Sequence, residues 1–168
     1  MLDKLFNTSN DGILSIKRIK QLLGYPGTER FEKNPVVVIE CDQDIPCNPC
    51  EDICPERAIA VGTPITNLPS VDTNKCNGCT MCISICPGLC IFVVHKNYNS
   101  TESLVYLPYE MLPLPEKGMI VEGCDRKGEP VCKARIERVI KGKKLQKTAV
   151  VAVAIPKEYF EIVRAIRF

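Results

Sequence analysis

Eleven cysteines stand in a chain of 168 residues that has one histidine and no tryptophan. Four of them, Cys76, Cys79, Cys82 and Cys86, form a C-x2-C-x2-C-x3-C-P run that ends at Pro87. Upstream, Cys47, Cys50, Cys54 and Pro55 repeat the later part of that run. A displacement of 32 residues lays Cys47 on Cys79, Cys50 on Cys82, Cys54 on Cys86, Pro55 on Pro87 and Ile59 on Ile91. An internal duplication of this kind describes two pseudo-symmetric half-sites built of soft thiolate ligands. Zinc sites usually take two separated C-x2-C pairs, whereas three cysteines in tandem suit a four-iron cubane. Disulfides fit worse. The cysteine count is odd, Cys76, Cys79 and Cys82 crowd within seven residues, and nothing directs the chain to an oxidising compartment.

The duplication breaks at one position. Thirty-two residues before Cys76 stands Asp44, and Cys41 lies three residues further upstream. Either Cys41 reaches the metal over the longer loop Asp42 to Pro46, or Asp44 supplies an oxygen ligand. Sulfide-bridged iron prefers thiolate, and counting Cys41 gives eight cysteines, two full sets of four. The spacing also makes physical sense. Two-residue gaps let an open loop wrap three thiolates around one corner of a cluster, and the three-residue gap sets Cys50 and Cys54, or Cys82 and Cys86, one helical turn apart. The proline that follows breaks the helix and turns the chain away. Gly78 permits a close backbone approach, from which N–H groups can point at sulfur.

On these motifs, residues 36–91 resemble a bacterial-type two-[4Fe–4S] ferredoxin module. The resemblance implies the family's interlaced ligation, with Cys76, Cys79, Cys82 and Cys54 holding one cluster and Cys41, Cys47, Cys50 and Cys86 the other. More narrowly, the stretch from Val36-Val-Val-Ile-Glu-Cys41 to Cys47-Asn-Pro-Cys50 is similar to the ferredoxin-like small subunits of multi-subunit flavin-dependent amino-acid dehydrogenases, of the proline and hydroxyproline type. The segment Val150-Val-Ala-Val-Ala-Ile-Pro-Lys-Glu-Tyr159 is similar to their C-terminal ends. That likeness implies flavoprotein partners, with FAD or FMN on the partner subunits alone.

Around the cysteine groups the periodicity is legible. Residues 12–23 carry apolar side chains at 13, 16, 19, 22 and 23, which predicts a helix capped by Asn10 or Asp11 and ended at Gly24. Strands are expected at Val36–Ile39, Ile91–Val94, Leu104–Leu107, Met119–Cys124, Val131–Ile140 and Thr148–Ile155. A short helix is expected from Pro156 to Ile166, with Tyr159, Phe160, Val163 and Ile166 on one face. The fold class is therefore α+β: an N-terminal helical arm over 1–35, a ferredoxin-like two-[4Fe–4S] core over 36–95, and a β-rich extension over 96–168 that ends in a helix. So small a core makes metal binding part of folding. Of the other cysteines, Cys90 reads as a small buried hydrophobe, and Cys124 and Cys132 as structural residues flanking a hairpin turn at Asp125–Gly128.

Composition narrows the function. Residues 41–90 hold Arg57 and Lys75 against Asp42, Asp44, Glu51, Asp52, Glu56 and Asp72, a net −4. Basic residues gather at Arg135, Arg138, Lys141, Lys143, Lys144 and Lys147, but without interleaved aromatics, and the whole chain carries only +2, so nucleic acid is not the expected partner. Two oxidised clusters, at about −2 each, would bring the loaded chain near −2. His95, the sole histidine, belongs at a strand end, and no dinucleotide or phosphate-loop motif occurs, so no catalytic residue is assigned. The longest apolar run, Ala149–Ile155, is too short to span a bilayer, and the first residues lack an apolar signal region, so a cytoplasmic protein is expected. The leading expectation is a subunit, not an enzyme alone, that relays electrons through two clusters between a partner's flavin and a further acceptor. A free-standing ferredoxin is the alternative, and a nucleic-acid-binding iron–sulfur protein stands behind both. The apolar arm and tail offer docking faces, or else they pack on the chain's own core.

Overall fold

Strands form where β-branched residues run together, and their alternation decides which face each side chain covers. The computed structural model describes residues 12–141 and 148–168. The order is α1 (Ile16–Ile19), a 3-10 turn (Thr28–Glu32), β1 (Val36–Ile39), α2 (Pro49–Ile53), β2 (Ile59–Ala60), β3 (Ser70–Val71), α3 (Met81–Ile85) and β4 (Ile91–His95). Then follow β5 (Glu102–Tyr109), β6 (Ile120–Cys124), β7 (Pro130–Ile140), β8 (Ala149–Pro156), a second 3-10 turn (Lys157–Tyr159) and β9 (Ala165–Arg167). Seven strands make one antiparallel sheet in the order β1-β4-β5-β8-β7-β6-β9, and β2 pairs with β3 in a separate ribbon. The sheet runs on through the expected boundary at residues 95 and 96, because β4 pairs with β5.

Alternation along the sheet separates two cores. Val37, Ile39, Ile91, Val93 and Val150 pack with Cys50, Cys82 and Ile83 of the two short helices. Val36, Val38, Phe92, Val94, Val151, Val153 and Ile155 pack instead with Phe31 from the arm and Val163 and Ile166 from the tail. Phe31 meets Tyr25 and Phe160 edge to face, at centroid distances of 5.6 and 5.1 Å. β8 lies between β5 and β7, and every residue from Ala149 to Ile155 is buried.

The duplication is visible in the backbone. α2 and α3 begin and end 32 residues apart, and their closing cysteines have matching dihedrals, φ −71°, ψ 109° at Cys54 and φ −72°, ψ 113° at Cys86. Arg57 and Leu89, also 32 apart, both take positive φ. Asp72 N–H donates to Ala58 carbonyl at 2.8 Å, and Glu40 N–H donates to Cys90 carbonyl at 2.9 Å, which is the same bond with the halves exchanged.

Two expectations need correction. The arm is α-helical over only four residues, capped by Ser15, whose side chain accepts from Arg18 N–H. Asn10 and Asp11 lie outside the described residues. A longer helix gives way because Leu23 and Gly24 carbonyls accept from Val71 and Ile39, tying the chain to two strands. Gly24 lies against Ile39, where an added Cβ would approach the Ile39 Cβ to 2.6 Å. The tail likewise does not end in a helix. Phe160, Val163 and Ile166 do share one core, but they reach it through a turn and β9, which pairs Ile166 with Gly123.

Candidate metal centres

The C-terminal cysteine group sits on a loop held from several sides. Arg30 donates to the carbonyls of Thr73 at 2.8 Å, Asn34 at 2.7 Å and Cys76 at 2.9 Å, so the arm fixes the entry to the loop. The Asn77 side chain accepts from Cys79 N–H at 3.0 Å and donates to Glu56 at 3.0 Å, joining the two halves. Gly78 has φ +71° and packs on Pro35, where a Cβ would come within 2.6 Å of the Pro35 Cβ. Thr80 follows at φ +71°, and α3 then carries Cys82 inward. Cys54, Cys76, Cys79 and Cys82 line one cavity, walled by Val37, Ile59 and Val93. Val37 N–H donates to the Cys76 sulfur at 3.5 Å, and Ala58 N–H to the Cys54 sulfur at 3.2 Å.

The upstream group is built differently. Pro49 starts α2, whose Glu51 carboxylate accepts from Val61 and Gly62 N–H at 3.0 and 3.1 Å. Cys47 N–H donates to Ile65 carbonyl at 3.1 Å, and Asp42 takes a two-point bond from Arg18. Cys41, Cys47 and Cys86 line a second cavity with Leu14, Ile45 and Gly88. Cys50 is buried beside it. Its thiol is pushed up to about 11, first by burial and then by the Cys86 sulfur, with a smaller push from Cys47. Cys82 is raised by burial and then by the sulfurs of Cys79, Cys76, Cys54 and Cys50. Asp44 lines a separate cavity with Leu23, Ala60, Val61 and Gly62, so Cys41 is the residue brought beside Cys47 and Cys86.

Cys90 is the residue that sequence reasoning missed. It lines the second cavity, and its sulfur lies 3.6 Å from that of Cys86. Hydrogen bonding with Cys90 draws the thiols of Cys41 and Cys86 below their usual 9, against burial, and drives Cys90 upward. The repeat carried the signal: Cys90 falls on Ala58, whose N–H contacts the Cys54 sulfur. Glu40, next to Cys41, also went unremarked. It is paired with Arg126 and Arg164, each at 2.6 Å, and the Glu40 and Arg164 side chains are 7% and 4% exposed. Cys124 and Cys132 lie away from both cavities, with Cys132 opposite Gly123 across the β6–β7 pair.

Among the described residues, no three or more His, Cys, Asp or Glu side chains close on one point as they would around a single metal ion. The thiols instead border two cavities, an arrangement open to a polynuclear group held at separate corners. Arg135, first of the basic stretch, is engaged by Glu102 and Glu137, while Lys143, Lys144 and Lys147 lie outside the described residues. No helix among the described residues is long and apolar enough to cross a membrane.

Comparison with known proteins gives a bounded likeness. No family model matches, and no solved structure matches. The chain is 30% identical over 77 residues to an uncharacterized ferredoxin of Methanocaldococcus jannaschii, a stretch that covers 46% of each chain. It thus spans about half the length of the curated relative it matches. This likeness supports a ferredoxin-like iron–sulfur protein.

Proposed function

We propose that this chain is an electron-transfer iron–sulfur protein with two [4Fe–4S] clusters, one on Cys54, Cys76, Cys79 and Cys82 and one on Cys41, Cys47, Cys50 and Cys86. The observation that supports the reading is the pair of thiol-lined cavities, one bordered by Cys54, Cys76, Cys79 and Cys82 and the other by Cys41, Cys47, Cys86 and Cys90, with the buried Cys50 raised by the sulfurs of Cys86 and Cys47. The donor chemistry fits the group, since every side chain assigned to it is a thiol and the first cavity has apolar walls. Each bound cluster supplies a one-electron couple. The chain's own part is to hold the thiolates on two short helices and two tight loops, to direct Val37 and Ala58 N–H groups at sulfur, and to shield the sites with Val37, Ile59 and Val93.

Within this reading the chain serves as a subunit, relaying electrons between a flavin on a partner dehydrogenase and a further acceptor. A second reading, a self-contained carrier, draws support from one observation: the described part of the arm and the tail fold back onto the sheet through Phe31, Val163 and Ile166.

Anaerobic reconstitution tests the clusters. The loaded chain is expected to hold about eight iron and eight acid-labile sulfide. A reproducible value near four, unchanged in Cys41→Ala, overturns the two-cluster reading. Anaerobic purification from the native source tests the partner. Salt-resistant co-purification with a flavoprotein, and dye-linked substrate oxidation only in its presence, supports the subunit; recovery of the chain alone supports the free carrier.

A further inference from the structure

The two halves repeat each other closely enough for their differences to be compared position by position. At the position following each Cys-Pro turn, the first site has Ala58 and the second has Cys90. Ala58 brings only its backbone N–H to the Cys54 sulfur, at 3.2 Å. Cys90 adds a thiol 3.6 Å from the Cys86 sulfur, inside the cavity that Cys41 and Cys47 also line. A cysteine that ligates iron has no proton to give, so once Cys86 is a thiolate the hydrogen bond between these sulfurs has one direction, from Cys90 to Cys86.

A reduced cluster carries one more negative charge than an oxidised one. A donor to its sulfur therefore favours reduction, and hydrogen bonds to sulfur are a recognised lever on these potentials.

Resting on the two-cluster reading, we infer that Cys90 is a positioning residue that donates its thiol proton to the Cys86 ligand and makes the second cluster the higher-potential of the two. The pair is unequal by construction, so that an electron shared between the clusters resides mainly on the one held by Cys41, Cys47, Cys50 and Cys86. Cys90 remains protonated and off the iron. The first cluster has backbone donors alone, the N–H groups of Val37 and Ala58, and no side-chain donor at the position of Cys90.

The test is a redox titration of the reconstituted full-length chain, followed by electron paramagnetic resonance, with iron counted in the same samples. In Cys90→Ala, one couple is expected to move to more negative potential by an amount equivalent to about a tenfold change in the equilibrium, about 59 mV for one electron. The other couple stays put and the iron count is unchanged. Cys90→Ser keeps a donor and restores part of the shift. Two full-iron couples that do not move in Cys90→Ala overturn the inference, as does loss of four irons, which would make Cys90 a ligand. If the unaltered chain itself holds fewer than two clusters, the functional reading fails first, and the iron count distinguishes that failure from the other.

Discussion

At the scale of single residues, the upstream site turns on a choice between two side chains three positions apart. Cys41→Ser is expected to lose or convert the cluster on Cys47, Cys50 and Cys86, whereas Asp44→Asn leaves the iron content unchanged, because only Cys41 lines that cavity. Iron analysis and the reduced-state resonance spectrum check both. Gly78→Ala tests the other site. The left-handed backbone costs a side chain about 1–2 kcal/mol, and the new Cβ would collide with Pro35. The expected product retains about four irons, those of the second set. His95, edge-on to Tyr98 at 6.0 Å, is held below its usual 6.5 by burial. The native state holds it neutral while the unfolded chain takes up a proton at higher pH. Its contribution to stability is therefore full above about 6.5 and declines as pH falls toward the folded value. A ring-proton titration with a midpoint below 6.5 checks this; a midpoint above it contradicts the assignment.

Among the elements, the closest coupling is ionic. Glu40 follows β1, Arg126 sits in the β6–β7 turn, and Arg164 lies just before β9 and stacks on Phe92 at 5.0 Å. Burial alone would raise the Glu40 carboxyl, and the charges of Arg164 and Arg126 more than offset it, leaving it below its usual 4.5. The depressed value makes the group stabilising above about 4.5, and that contribution disappears as pH falls through the folded value. Glu40→Gln strands the buried Arg164 and the half-buried Arg126 guanidinium groups and is expected to cost about 3 kcal/mol in urea unfolding of the reconstituted chain. The strands were legible in the sequence because β-branched runs such as Val36–Ile39 and Ala149–Ile155 suit a pleated sheet and little else. The two expected helices were less so. Spacings of three along Phe160, Val163 and Ile166 fit a turn and an edge strand as well as a helix, and only the pairing of β9 with β6 decides between them.

For the whole molecule, the described part of the arm, residues 12–35, belongs to the body of the protein. Ile19, Leu22 and Phe31 are buried, and Arg30 anchors the Cys76 loop. Deleting residues 1–24 is therefore expected to lower the melting temperature and weaken cluster retention; a truncated chain that keeps both clusters and merely stops binding a flavoprotein would contradict this. The repeat of the two cysteine helices was legible because 32 residues separate them in spacing, and the place of Cys90 beside Cys86 was not, because its partner in the repeat is an alanine. The ion triad was hidden for another reason: its members stand 86 and 124 residues from Glu40, a distance no local pattern spans. Sequence separation has a further consequence at β8. This strand fills the middle of the sheet, yet it is translated after β1, β4, β5, β6 and β7. Until it emerges, β5 presents an unpaired edge, and the cysteine loops are translated well before their platform closes. Formation of the sheet is a late, non-local event in biogenesis, which makes for slow folding and a nascent intermediate open to edge-to-edge association. Cluster insertion after β8 has paired with β5 and β7 is the order of assembly that this topology favours.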